Sequence, residues 1–132
     1  MSVFVKHGDT RLFRALKQAW GANASDLHLR EGEAAVVRIH GDLRVIADLA
    51  PDRKEIRDFV GPMMRDDQRA RFDETNELDC SCRIEGLCRL RLNLFVQQQS
   101  ICVAIRLLPE RIPTMDEIYL PSACKHLAGL HK

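Results

Sequence analysis

Two arginines carry the clearest chemical signal in this chain. Arg91 lies in the alternating run Arg89-Leu90-Arg91-Leu92-Asn93-Leu94-Phe95, and Arg106 lies in the run from Ser100 to Leu107. A two-residue turn at Gln98-Gln99 places Gln97 opposite Ser100, Phe95 opposite Cys102, Asn93 opposite Ala104, and Arg91 directly opposite Arg106. Side chains alternate along a strand. The same register therefore collects Leu90, Leu92, Leu94 and Val96 with Ile101, Val103, Ile105 and Leu107 on the reverse, wholly aliphatic face. A one-residue slip would scatter that face, so the register is well specified. Like charges directly opposite on a sheet repel, and two facing guanidiniums suit a place where an anion lies between them. A planar guanidinium that stays charged makes bidentate phosphate contacts. The bland alternative is a solvated sheet face, with Asp79 and Glu85 from the neighbouring strand as ion-pair partners of little net stability. Spacing alone favours neither reading.

Other reactive side chains fit structural roles better. The chain has five cysteines, an odd number that does not suggest a secreted disulfide framework. Cys80, Cys82 and Cys88 invite a zinc reading. A hairpin pairing Leu78–Ile84 with Cys88–Leu94 through Glu85-Gly86-Leu87 instead puts all three on the aliphatic face, where free cysteine behaves as a small hydrophobe. Paired two-spaced ligand motifs are missing, so no metal site is expected. His28 and His40 lie on or beside strands with no second group for acid–base or ligand work, and both are assigned to structure. Asp26 is expected to cap or order the adjacent turn.

The elements that must hold these residues follow from pattern. With 132 residues, 45% hydrophobic and 30% charged, the chain reads as one soluble globular domain. A net charge of +1 gives no broad field for nucleic acid, so none is expected as a partner. The start lacks the apolar core of a signal peptide, and no run approaches a membrane span, which predicts a cytoplasmic protein. Thr10 to about Trp20 reads as an amphipathic helix capped by Asp9 or Thr10. Ser25–Leu29 is a short strand, Ala35, Val37 and Ile39 alternate into a second, and His40-Gly41-Asp42 turns into a third with Leu43 and Val45 facing inward.

Asp52 with Glu55 imitates a capping box and opens a second helix, whose buried stripe is Ile56, Phe59, Val60 and Met63. Gly61-Pro62 kinks or shortens it. A short polar helix over Asp67–Phe72 precedes three long strands. Pro109 to Pro113 then forms an extended connector, Thr114 with Glu117 caps one turn, and Pro121-Ser122 starts a helix towards His131. The fold class is α+β, an antiparallel sheet of about six strands covered by helices, with a C-terminal linker and helix.

Ser25-Asp26-Leu27-His28-Leu29 and Arg38-Ile39-His40-Gly41-Asp42-Leu43 resemble the opening of the secretion-superfamily ATPases, in particular the type IV pilus retraction (twitching motility) branch. There an "ASDLHL" strand is followed by an "R-x-x-G-x-[LV]-R" hairpin. The resemblance continues through Asp67-Gln68-Arg69, Phe72 and Arg89–Phe95, where the family carries "RFRVNxF". Arg106–Pro109 and Ile112-Pro113-Thr114 match its "R-x-I-P…IPT" ending, and Leu120-Pro121 its "LP". The match spans nearly the whole chain in order.

The resemblance implies a PAS-like N-terminal domain over 1–108 and a linker and helix over 109–132 leading towards a RecA-like ATPase domain. That domain's P-loop, G-x-x-x-x-G-K-[ST], does not occur in these 132 residues. No catalytic residue is therefore expected within the chain, and alone it should be inactive. The resemblance further implies a homohexameric motor using ATP and magnesium, with Arg91 and Arg106 reaching the nucleotide phosphates. Arg89, Ile112 and Leu120 are further candidates near the nucleotide. Implied partners are the chain's own ATPase domain, neighbouring subunits and an inner-membrane pilus platform protein, with the chain peripheral to the bacterial inner membrane. Two alternatives stay open: a free-standing PAS-like ligand-binding or interaction module, and the same domain of a type II secretion or pilus extension ATPase.

Overall fold

A computed structural model describes residues 3–6 and 8–109. Connector residues beyond Pro109, with Ile112, Leu120 and the two expected C-terminal helical turns, lie outside the described residues. The elements are β1 Val3–Val5, α1 Arg11–Gly21, β2 Ala24–Arg30, β3 Glu33–Ile39, β4 Asp42–Ile46, α2 Arg53–Val60, α3 Asp66–Thr75, β5 Glu77–Ile84, β6 Cys88–Gln97 and β7 Ser100–Leu108. One sheet contains all seven strands in the order β1-β5-β6-β7-β2-β3-β4. This is the α+β class expected, with one strand more than the sequence suggests.

The extra strand is β1, which runs parallel to β5 with Val3 beside Cys82 and Val5 beside Ile84. Every other pairing is antiparallel. At β6–β7 the register matches the expectation pair by pair, from Gln97 opposite Ser100 to Arg91 opposite Arg106. Gln98 and Gln99 make the turn with φ of 52° and 67°, both left-handed, as a two-residue hairpin with the strands' right-handed twist requires. β5 pairs with β6 as expected too, Leu78 opposite Leu94 and Ile84 opposite Cys88.

Helix ends follow local chemistry. The Thr10 hydroxyl accepts from the Phe13 N–H at 3.2 Å, and the Asp52 carboxylate accepts from the Glu55 N–H at 2.8 Å; each satisfies a donor the helix leaves unpaired. Pro62 cannot donate to an α-helical ladder, so α2 stops at Val60 and Gly61–Met63 continues as a 3-10 turn. α3 is longer than its apolar pattern suggests and closes on Asn76, left-handed at φ 62°.

The three α-helices of the described residues contribute to one core. Leu12, Leu16, Ile56, Phe59, Met63 and Phe72 pack with Leu90, Leu92, Leu94, Val103 and Ile105 from the sheet, and Phe13 meets Phe59 edge-on at 5.3 Å. Each fully buried large aliphatic there contributes about 1.5–3 kcal/mol relative to exposure. Cys80, Cys82 and Cys88 lie in the same core.

One expectation fails at β4. Leu43 and Val45 do not face inward: they are 59% and 67% exposed. His40 and Gly41 form a two-residue turn with both φ positive, which sets Ile39 opposite Asp42 and Ala35 opposite Ile46. Alternation then puts Ile46 on the core side with Ala35 and Val37, and turns Leu43 and Val45 outward.

Candidate functional site

The face of the sheet opposite the core carries the arginines. β6 alternates buried Leu90, Leu92 and Leu94 with half-buried Arg89, exposed Arg91 and half-buried Asn93. β7 likewise alternates buried Ile105 and Leu107 with exposed Arg106. Reading across the strands gives one row: Ser81, Arg91, Arg106, Asp26, Arg38 and Leu43. The next row towards the β5–β6 turn sets Arg83 directly opposite Arg89. Two facing arginine pairs thus lie in adjacent rows, an arrangement that costs repulsion unless counter-charge is supplied.

Part of that counter-charge is internal. Asp26 sits opposite Arg106 on β2, with its Oδ2 3.7 Å from Arg106 Nε. Its Oδ1 accepts from the Ser25 hydroxyl at 2.6 Å. The expected role of Asp26 in ordering a turn is therefore corrected: it lies within a strand and pairs across the sheet. A register shift between Ala24 and Asp26 against β3 makes this possible. The bulge reverses alternation, so that Ala24 and Leu27 are both buried while Asp26 between them points to the arginine face.

The expected partners Asp79 and Glu85 behave differently. Asp79 is opposite Asn93 and accepts from its Nδ2 at 2.9 Å. Glu85 lies past the end of β5, in the turn to β6, where its backbone N–H donates to the Val5 carbonyl.

Two shallow depressions adjoin at Arg91. One, ≈ 190 Å³, is lined by Asp26, Asp79, Arg91, Asn93, Ala104 and Arg106. The other, ≈ 480 Å³, adds Arg65 and Gln68 from the start of α3 to Ser81, Arg89, Arg91 and Leu108. Arg65 is not a candidate from the sequence, because no spacing shows that the N-terminus of α3 ends beside β5 and β6. Its guanidinium bonds Asp67 at 3.0 Å. Arg83 stacks over the Phe4 ring at 5.6 Å, a cation–π contact supplied by the unexpected β1.

His28 shares the row of Asn93 and Ala104, and His40 makes the β3–β4 turn. Among the described residues no group of three or more His, Cys, Asp or Glu is placed to hold a metal. Burial pushes the Cys80 thiol up to about 11 and the Cys82 thiol up to about 12, so both are protonated hydrophobes at neutral pH. The chemistry this face offers is anion binding by planar, permanently charged groups on rigid strands.

No protein-family model matches the chain. The type IV pilus retraction ATPase PilT of Pseudomonas aeruginosa is 34% identical over 108 residues, covering 81% of this chain and 31% of that protein. The type IV pilus ATPase PilU of the same organism is 26% identical over 118 residues, covering 89% of this chain and 30% of the relative. Among solved structures, the pilus retraction motor PilT with bound ADP superimposes with a TM-score of 0.69 at 30% identity, over 94% of this chain and 36% of that one. The chain thus spans about a third of the length of the relatives it matches. No helix among the described residues is long and apolar enough to cross a membrane. In sequence and in fold, the chain is a homologue of the N-terminal region of the type IV pilus retraction ATPases.

Proposed function

We infer that the chain is the PAS-like N-terminal domain, residues 1–108 with a following linker, of a hexameric pilus or secretion motor ATPase. In this reading a RecA-like domain holds ATP and magnesium, and Arg91 and Arg106 reach the nucleotide phosphates as the two domains close. Arg89 borders the same nucleotide, with Ile112 and Leu120 near it on the linker. Nucleotide state is thereby coupled to rotation between domains and to pilus retraction. The motor works in the cytoplasm against an inner-membrane platform protein, each N-terminal domain packing on a neighbouring subunit.

The observation that carries the reading is the direct opposition of Arg91 and Arg106 on an exposed sheet face, in a chain homologous to pilus ATPases. Strands fix the two Cα positions, so the sheet brings the two arginines to one place rather than leaving them to a flexible loop. An arginine delivered to a phosphoryl transition state contributes about 10³–10⁵ in rate.

Hydrolysis of ATP by the protein at its natural length tests this. Arg91→Ala and Arg106→Ala should each lower kcat by about 10³-fold or more while circular dichroism stays unchanged. Normal turnover by both variants, or no ATP hydrolysis by the natural-length protein, overturns the reading.

A further inference from the structure

Asp26 is the only acidic residue in a row that also contains Arg91, Arg106 and Arg38. Its side chain is only 16% exposed while that of Arg106 is 65% exposed. The carboxylate is thus the enclosed partner, held by the Ser25 hydroxyl, and the guanidinium is the exposed one. Their closest approach, 3.7 Å through Nε, is longer than a hydrogen bond. Arg38 on the other side is turned away to the Gly41 carbonyl at 3.1 Å, which leaves Arg106 as the cation Asp26 faces most directly. A loose ion pair of this kind offsets the repulsion between Arg106 and Arg91 without saturating either guanidinium.

We propose that Asp26 is a positioning residue for Arg106, an internal stand-in for phosphate that is displaced when a di- or triphosphate enters between the arginines. The inference rests on the phosphate-binding reading of Arg91 and Arg106. While no ligand is present, the carboxylate holds Arg106 over the β7–β2 boundary. When a polyphosphate arrives, Arg106 leaves Asp26 for the stronger, bidentate acceptor. Asp26 therefore weakens anion binding, chiefly by engaging Arg106 and in lesser part by direct repulsion.

Titration of the 132-residue chain with inorganic pyrophosphate, followed by the arginine Nε–H resonances in nitrogen-15 NMR, tests this and reads millimolar affinities. Asp26→Asn keeps an acceptor for the Ser25 hydroxyl and removes the charge. It should tighten pyrophosphate binding about fivefold, the weight of one charge about 4 Å away in a water-like medium. In an Arg106→Ala background the same change should have a clearly smaller effect, limited to the direct repulsion between carboxylate and anion, a coupling that a merely structural role would not produce. Asp26→Ala provides a second uncharged variant should Asp26→Asn fold poorly. If Arg91→Ala and Arg106→Ala weaken binding but Asp26→Asn does not tighten it, or tightens it equally without Arg106, the positioning role is wrong and the phosphate site stands. If neither arginine affects pyrophosphate binding, the phosphate site itself fails and this role with it.

Discussion

The Ile101 N–H donates to the Glu31 carboxylate at 3.0 Å, joining the β2–β3 turn to the start of β7. Arg53 completes the junction: its Nε is 3.1 Å from the same carboxylate, and its Nη2 donates to the Gln99 carbonyl at 2.6 Å. The Ile101 N–H, and after it Arg53, hold the Glu31 carboxyl below the ordinary value of 4.5. The folded-state pKa lies below the unfolded one, so this stabilisation is complete above the ordinary value and is lost as pH falls through the folded value. Glu31→Gln should therefore lower the urea midpoint at neutral pH and flatten its decline between about pH 5 and pH 3. Parallel acid limbs for the two proteins would show that Glu31 contributes nothing to acid sensitivity.

The Gln98-Gln99 turn holds two ordinary side chains in left-handed backbone. Gln99→Gly should stabilise the chain by about 1 kcal/mol, and pairing it with Gln98→Asn should add to that. Arg53 binds only the backbone carbonyl of Gln99, so that bond is retained. A lowered midpoint in chemical denaturation would contradict this account of the turn.

Neighbouring residues on β6 should answer truncation in opposite ways. Leu92 is fully buried, and Leu92→Ala should cost about 2–5 kcal/mol in urea unfolding. Arg91→Ala removes one of two facing like charges and should leave Tm unchanged or slightly raised. A clear loss of Tm on Arg91→Ala would mean that the arginine is structural.

Cys82 is fully buried and its thiol is pushed up to about 12 by burial, with Cys80 and Cys88 adding to the effect. Alkylation followed by mass spectrometry at pH 8 should leave Cys82 unmodified in the native protein and label it fully in guanidinium. Rapid native labelling would show that the β5–β6 layer opens to solvent.

Much of this architecture is legible in the residues. The β6–β7 register follows from parity and turn length, which depend only on near neighbours. Thr10 and Asp52 cap α1 and α2 as local hydrogen bonding dictates. The orientation of β4 was accessible by the same two-residue rule at His40-Gly41, but the apolar character of Leu43 and Val45 argues the other way. What local pattern does not contain is which distant strands adjoin. β1 is three residues long and finds β5 far along the chain, and β2 pairs with β7. The Asp26–Arg106 pair depends wholly on that second choice, so nothing around either residue reveals it.

The pairing of β2 with β7 also decides when the site comes into being. Each half of the sheet beyond it, β2–β3–β4 and β5–β6–β7, is a meander of hairpins that closes over short loops. The boundary between them joins segments from nearly opposite ends of the described chain, and such closures are entropically slow. Arg91 and Arg106 meet as soon as one hairpin forms, whereas Asp26 reaches Arg106 only once the two meanders dock. During refolding the arginines therefore face each other uncompensated for a time; salt or polyphosphate should ease closure of that hairpin, while weakening the Asp26–Arg106 attraction that the docking step gains.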